Sequence, residues 1–133
     1  MTDVVTDTHD LIWYLGAVPL LGPHAKQAFD DCSRGDIIVY VPTICLVEII
    51  YLQEKGRIAA NLKSLFDAEM QAGTTGLTLV PLIAEVADAV ARIPRAEVPD
   101  MPDRIIAATA LHLGLPLISR DRKIQLSSVL TIW

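Results

Sequence analysis

Residues 99–124 constrain the fold more than any other segment of the chain. Pro102 suits the first turn of a helix, where its missing backbone N–H is no loss. Apolar residues then recur at helical spacing, and Gly114 is a suitable C-terminal cap. The short apolar run 115–119 follows and predicts a buried strand. The segment is therefore expected to fold as a helix, a tight turn and a strand.

This predicted element carries an acid at each end. Asp103, with Asp100 close by, lies at the start of the helix, and Asp121 comes just after the strand. An antiparallel helix–strand pair begins and ends on the same side. We therefore expect Asp103 and Asp121 to lie near each other, although eighteen positions separate them in the sequence.

The remainder of the chain alternates between strand-like and helix-like segments. Apolar runs predict further strands at residues 4–6, 37–41, 77–80 and 129–132. Helical patterns lie at residues 11–15, 23–32, 42–56, 56–72 and 83–93. Strands separated by helices indicate an α/β fold, a three-layer α/β/α sandwich around a central parallel sheet.

Two further acids are expected at the same edge of that sheet. Asp7 directly follows the first strand, and Glu48 lies in the second turn of the helix after residues 37–41, about 7–8 Å along its axis. Ligands collect where parallel strands end. Asp7 can also be a simple helix cap, paired with Asp10, and Glu48 can be a surface glutamate. Four acids at one edge favour a functional site.

Four neighbouring carboxylates would repel one another, and some would hold a proton at neutral pH. A hard divalent cation removes this conflict. Mg²⁺ and Mn²⁺ take oxygen ligands and retain several waters, which leaves room for a phosphate. One or two such ions can activate a water for attack at phosphorus. The pattern therefore suggests metal-dependent hydrolysis of phosphodiester bonds.

Composition sets the limits of this interpretation. The 133 residues suffice for a single domain spanning the chain, and 52% hydrophobic residues exceed what one small domain needs to bury. The surplus suggests an interface near Trp13, Tyr14, Ile49, Ile50 and Leu52. Two cysteines without metal spacing, no signal peptide and no membrane-length apolar run favour the cytoplasm. A net charge of −5 argues against a broad basic face for nucleic acid.

Three separated motifs resemble the PIN domain, and specifically its VapC toxin group: VTDTHDLIWYL, VEIIYLQEKGRI and DMPDRIIAATALHLGLPLISRDRKI. The metal-binding acids of that family correspond to Asp7, Glu48, Asp103 and Asp121. The resemblance implies a Mg²⁺- or Mn²⁺-dependent endoribonuclease that cuts RNA as the toxin of a type II toxin–antitoxin pair. It also implies a homodimer and a VapB-like antitoxin, together forming a heterotetramer or a larger complex.

The resemblance also suggests which residues surround the metal site. Ser119 and Arg104 are similar to residues around the site in relatives, and Thr8 is a further candidate beside Asp7. Asp100 can be a ligand, a helix cap or a neighbouring acid. Asp10 departs from the family pattern, because relatives more often carry a small apolar residue there.

A small basic patch lies beside Asp121, formed by Arg120, Arg122 and Lys123. Most such patches are merely solvated surface, and the alternative is contact with substrate phosphate. With a net negative chain, local arginines of this kind and metal ions would have to hold an RNA backbone.

Two rival functions remain at this point. A phosphohydrolase with an aspartyl nucleophile also places an aspartate after its first strand, but it needs a second aspartate two residues later, where this chain has His9. The other rival is a PIN-fold interaction module without catalysis. The intact set of four acids argues against the second rival.

Overall fold

The fold is described by a computed structural model that covers residues 2–125, 127 and 129–133. Its strands are β1 (Val4–Thr6), β2 (Val39–Pro42), β3 (Leu77–Val80), β4 (Leu117–Ile118) and β5 (Thr131–Ile132). Its helices are α1 (Thr8–Leu15), α2 (Pro23–Ser33), α3 (Thr43–Glu54), α4 (Leu62–Ala72), α5 (Ala84–Val90), α6 (Met101–Leu113) and α7 (Arg122–Gln125).

The strands form one parallel sheet in the order β3-β2-β1-β4-β5. Val5 of β1 pairs with Tyr40 on one side and with Leu117 on the other, and its side chain is fully buried. Because parallel crossovers are right-handed, the helices between β1 and β3 cover one face of the sheet and those between β3 and β4 cover the other. The predicted α/β/α sandwich with a parallel sheet is confirmed.

The element that dominated the sequence analysis forms as expected. The Asp100 side chain caps α6 by accepting a hydrogen bond from the Asp103 backbone N–H at 3.2 Å. Gly114 ends the helix in the left-handed conformation, with φ of 67°. The chain then turns back into β4. The N-terminus of α6 and the end of β4 therefore lie at the same edge of the sheet.

Some expected boundaries were wrong, and one helix was not predicted. The helix predicted over residues 56–72 begins only at Leu62, because Gly56 has φ of 68° and the chain turns there. Gln53 of α3 then accepts a hydrogen bond from the Lys63 N–H, which fixes the start of α4. The second strand begins at Val39 instead of residue 37. The sequence analysis did not predict α7, whose first turn is organised by Asp121.

The expected apolar interface also needs a correction. Ile49 is fully buried in the core, so it cannot contribute to an exposed surface. Ile50 is exposed as expected, and the other exposed apolar side chains of α3 are Val47 and Tyr51, the last with 60% of its area exposed. Trp13 and Tyr14 are half-buried against the core. Among the described residues, every helix falls short of the length and apolar character that a membrane span requires.

Candidate metal centre

The four acids singled out in the sequence line one cleft of about 340 Å³. Asp7 follows β1 and Asp121 follows β4, and these two strands are neighbours in the sheet. Glu48 comes from α3 and Asp103 from the first turn of α6. From β1 the chain passes to β2 and β3 on one side of β1, and it then returns across the sheet to form β4 on the other side. The cleft therefore lies at the point where the strand order reverses, and α/β proteins bind ligands there.

Asp7 is fixed by its position between β1 and α1. Its side chain caps α1 by accepting a hydrogen bond from the Asp10 backbone N–H at 3.0 Å. Only 8% of the residue is exposed. The capping role and the place in the cleft are thus compatible: one carboxylate oxygen holds the helix, and the residue still lines the site.

Glu48 is oriented by a contact between helices. The Thr8 hydroxyl of α1 donates to Glu48 Oε1 at 2.5 Å, and Thr8 itself is almost completely buried. Burial raises the pKa of the Glu48 carboxyl, and the hydrogen bond from Thr8 offsets part of that rise. Thr8, which also lines the cleft, therefore holds one carboxylate oxygen of Glu48.

Asp121 is held by the backbone on both of its sides. Its Oδ1 accepts hydrogen bonds from the N–H groups of Lys123 and Ile124, at 2.8 and 3.2 Å. Its own N–H donates to the hydroxyl of Ser119 at 3.1 Å, and Ser119 is fully buried. Ser119 thus contacts the backbone of Asp121.

Asp103 carries the clearest electrostatic signature of a shared pocket. Burial, followed by the negative charges of Asp100, Asp121, Glu48 and Asp7, raises the pKa of the Asp103 carboxyl from 3.8 to about 7. Every one of those charged neighbours raises the pKa. The acids are therefore close enough to oppose one another's ionisation.

Asp10 is a fifth acid in the cleft lining. It is fully buried, and neither of its carboxyl oxygens has a hydrogen-bond partner. Burial raises its pKa to about 10, and the neighbouring Asp7 adds to the effect while Arg120 opposes it. The sequence identified Asp10 as an extra acid near the site, but not its complete burial. His9 and Trp13 also line the cleft and were not among the expected site residues.

The donor set suits a hard cation. Carboxylate oxygens from four elements, together with the unpartnered oxygens of Asp10, are the ligand type that Mg²⁺ and Mn²⁺ prefer. Within the part of the chain that is described, no three acidic, histidine or cysteine side chains stand at the spacing of a closed metal-ligand set. The described acids line the same cleft, but they do not form a complete set of metal ligands.

The structure places the expected basic residues in different surroundings. Arg120 lines the acidic cleft, and Arg122 and Lys123 line an adjoining cavity that also contains Asp100, Asp103 and Asp121. Arg104 does not belong to the lining of either cavity. Its guanidinium donates to the carbonyl oxygens of Val90 and Ile93, both at 2.9 Å, because its side chain points back along α6 toward α5. Its place among the residues around the metal site stays a prediction.

Comparison with known proteins gives three results. The family described as PIN domain matches residues 4–128. The chain is 30% identical to "Ribonuclease VapC22" of Mycobacterium tuberculosis, over 94% of this chain and 92% of that protein. The fold is similar to VapBC2 from Rickettsia felis, solved with a promoter DNA fragment (TM-score 0.74, 13% identity, 99% of both chains), and to DNA-bound VapBC from Salmonella typhimurium (TM-score 0.67, 21% identity, 100% of this chain and 98% of that one).

The raised pKa of Asp103 predicts a stability change of definite sign. Its pKa is higher in the folded protein than in the unfolded chain, so its ionisation destabilises the fold progressively from about pH 4 to pH 7. Asp103→Asn should therefore raise the thermal midpoint at pH 8 in the presence of chelator. The gain should shrink as the pH falls and should vanish well below pH 3.8, where the parent carboxyl is protonated in both the folded and the unfolded state.

Thermal melts of parent and variant across this pH range provide the measurement. Asp88→Asn, on the exposed side of α5 and outside the cleft, is the matched control and should show no such gain. If Asp103 served only the dipole of α6, its neutralisation would instead cost about 0.3–1 kcal/mol at pH 8. A loss of stability at pH 8 would contradict the shared pocket.

Proposed function

The chain belongs to the PIN domain family, and from this membership and its acidic cleft we propose that it is a metal-dependent endoribonuclease, the toxin of a type II toxin–antitoxin pair. We propose that residues 1–133 act as one catalytic domain. The relative at 30% identity is named a ribonuclease, and the match extends over nearly the whole of both chains. The chemistry proposed is hydrolysis of RNA phosphodiester bonds.

The observation that carries this proposal is the convergence of four acids that the sequence separates widely. Asp7, Glu48, Asp103 and Asp121 come from four different elements and line one cleft. Their mutual repulsion appears in the raised pKa of Asp103. Without a cation such a cluster only destabilises a fold, and functional sites are where such arrangements are retained.

In this proposal Asp7 and Asp103 ligate the cation directly, and Glu48 and Asp121 do so directly or through water. One or two Mg²⁺ or Mn²⁺ ions would neutralise the acids, polarise the scissile phosphate and lower the pKa of an attacking water. Thr8 would hold the Glu48 carboxylate in its rotamer, through the 2.5 Å hydrogen bond. Ser119 would hold the loop of Asp121 in the same way.

We propose that basic residues on both sides of the acids bind the RNA backbone. Arg120 lies in the acidic cleft, and Arg122 and Lys123 lie in the adjoining cavity next to Asp121. Guanidinium groups match phosphate oxygens in two-point hydrogen bonds. Because the chain has a net charge of −5, these few cations would position the substrate instead of attracting nucleic acid broadly.

The proposed partners are a VapB-like antitoxin and a second copy of the chain, in a heterotetramer or a larger complex. The solved structures with this fold include one from Klebsiella pneumoniae that is named a toxin–antitoxin complex. The exposed apolar side chains of α3, Val47, Ile50 and Tyr51, support a two-fold homodimer. The antitoxin would use a groove separate from this face.

Replacing Asp7 by Asn should abolish RNA cleavage while the protein stays folded. Asn caps helices about as well as Asp does, so α1 keeps its cap, but the variant loses a charged oxygen ligand. We expect a loss of more than about 100-fold in kcat/KM, beyond the 10–100-fold range of changes around a metal site. The measurement is cleavage of cellular RNA by purified protein with Mn²⁺.

A thermal melt with Mn²⁺ accompanies this assay. Mass action should stabilise the parent by ~2.7 kcal/mol at a hundredfold excess of Mn²⁺ over its dissociation constant, and Asp7→Asn much less. Asp88→Asn again serves as the control and should cleave and melt like the parent. A folded Asp7→Asn protein that cuts RNA at the parent's rate would refute the assigned role.

The homodimer is tested by light scattering at micromolar concentration. The parent should have the mass of two chains, and Tyr51→Glu should have the mass of one, because a charge on the exposed face of α3 cannot be buried without a partner. Leu65→Glu, at an exposed position of α4, is the matched control and should remain dimeric. A monomeric parent would remove the homodimer from the proposal.

A further inference from the structure

The indole of Trp13 separates two cavities. Trp13 lies on α1 and lines the acidic cleft together with Asp7 and Asp103. It also lines a second cavity of about 500 Å³ between the end of α1 and α2. It lies six positions after Asp7 in the sequence, which corresponds to about 9 Å along the helix axis. The ring is therefore within reach of a nucleotide whose phosphate lies at the acids.

A second tryptophan, Trp133, helps to hold the ring of Trp13 in place. Trp133 contacts it edge-on, with ring centroids 5.9 Å apart and an interplanar angle of 66°. Trp133 is itself fixed, because its indole lies against Gly22, where an added Cβ would come within 2.6 Å of the ring. Its carbonyl also accepts a hydrogen bond from the His24 N–H at 3.2 Å. Such support presents Trp13 as a pre-oriented surface.

The other neighbours of Trp13 are groups that bind nucleic acids. The Arg120 guanidinium lies over the ring, 5.8 Å from its centroid, and His9 approaches with a centroid distance of 6.2 Å. Both residues are exposed and both line the acidic cleft. A cation over the ring and a second ring beside it, tilted by 51° to the first, place three groups that can contact a nucleobase next to the acids.

Tyr14, the residue after Trp13, has the contacts of an aromatic side chain with a structural role only. Tyr14 stacks on Phe29 with centroids 4.5 Å apart and planes within 9°. Its hydroxyl donates to Glu69 at 2.9 Å. Tyr14 thus satisfies both its ring and its polar atom inside the protein, whereas the contacts of Trp13 include two exposed residues of the cleft.

We propose that Trp13, with Arg120 and His9, is a stacking platform for one unpaired nucleobase of the RNA, next to the phosphate held by the acids. Unpaired RNA bases stack on aromatic rings and on arginine planes, which is how single strands are held without a broad basic surface. The inference rests on the proposed ribonuclease function and deepens it, because it names the residues that would hold one base beside the scissile phosphate.

The first step of the test establishes cleavage independently of the platform. The parent protein with Mn²⁺ digests cellular RNA, and the new RNA ends define a cut site. A short synthetic RNA containing that site is then compared with versions that carry one abasic residue immediately before or after the cut. If the parent cuts no RNA at all, the proposed function fails, and this inference fails with it.

The second step compares Trp13→Leu with Trp13→Phe. In the parent, one of the two abasic substitutions should raise KM about 5- to 100-fold, the range of one base–aromatic stack. Trp13→Leu should raise KM by a similar factor for the intact RNA and should no longer distinguish it from the abasic RNA. Trp13→Phe retains a ring face and should keep most of the discrimination.

The third step detects the contact without catalysis. In Asp7→Asn/Trp133→Phe protein, Trp13 supplies the tryptophan fluorescence, and the intact RNA should quench it more strongly than the abasic RNA. Equal quenching by the two RNAs would overturn the inference. So would a parent that cuts RNA while Trp13→Leu keeps the parent's KM and its discrimination. If Trp13→Leu does not fold, Trp13→Phe and the fluorescence decide.

Discussion

The parallel pairing of β1 with β2 on one side and β4 on the other is the constraint on which the site depends. Val5 is paired with Tyr40 and Leu117 at once, so the ends of three strands are held at one edge of the sheet. Asp7 and Asp121 follow two of those strands directly. The helices α3 and α6 then begin at the same edge and supply Glu48 and Asp103. No contact between the acids themselves is needed to assemble them.

The assembled acids lower the stability of the fold that holds them together. Burial is the largest cause of the raised pKa of Asp103, Glu48 and Asp10, and neighbouring negative charges add to it in each case. Burial of the apolar core beneath the cleft offsets this loss of stability. Val5, Leu117 and Ile118 are fully buried there. A bound divalent cation would turn this unfavourable cluster into a favourable one. Removing that ion would then lower both the stability and the activity.

Much of this arrangement could be predicted from the sequence, because it follows from topology. Alternating strands and helices predict a parallel sheet, and acids placed directly after strands must share an edge. The directions of single side chains could not be predicted in this way. Arg104 follows Asp103 immediately, yet it points back to the carbonyls of α5. Ile49 follows Glu48, yet it faces the core. Long-range contacts such as Gln53 with Lys63, which sets the start of α4, have no local signal.

A crystal structure of the protein soaked in Mn²⁺ tests the shared metal site most directly. Anomalous scattering from Mn²⁺ locates the ion without reference to any assay of RNA cleavage. A common site for the four acids predicts a peak in the cleft, with oxygens of Asp7 and Asp103 within about 2.5 Å, the range of bonds between hard cations and oxygen. A crystal saturated with Mn²⁺ whose anomalous peaks lie only outside this cleft would contradict it.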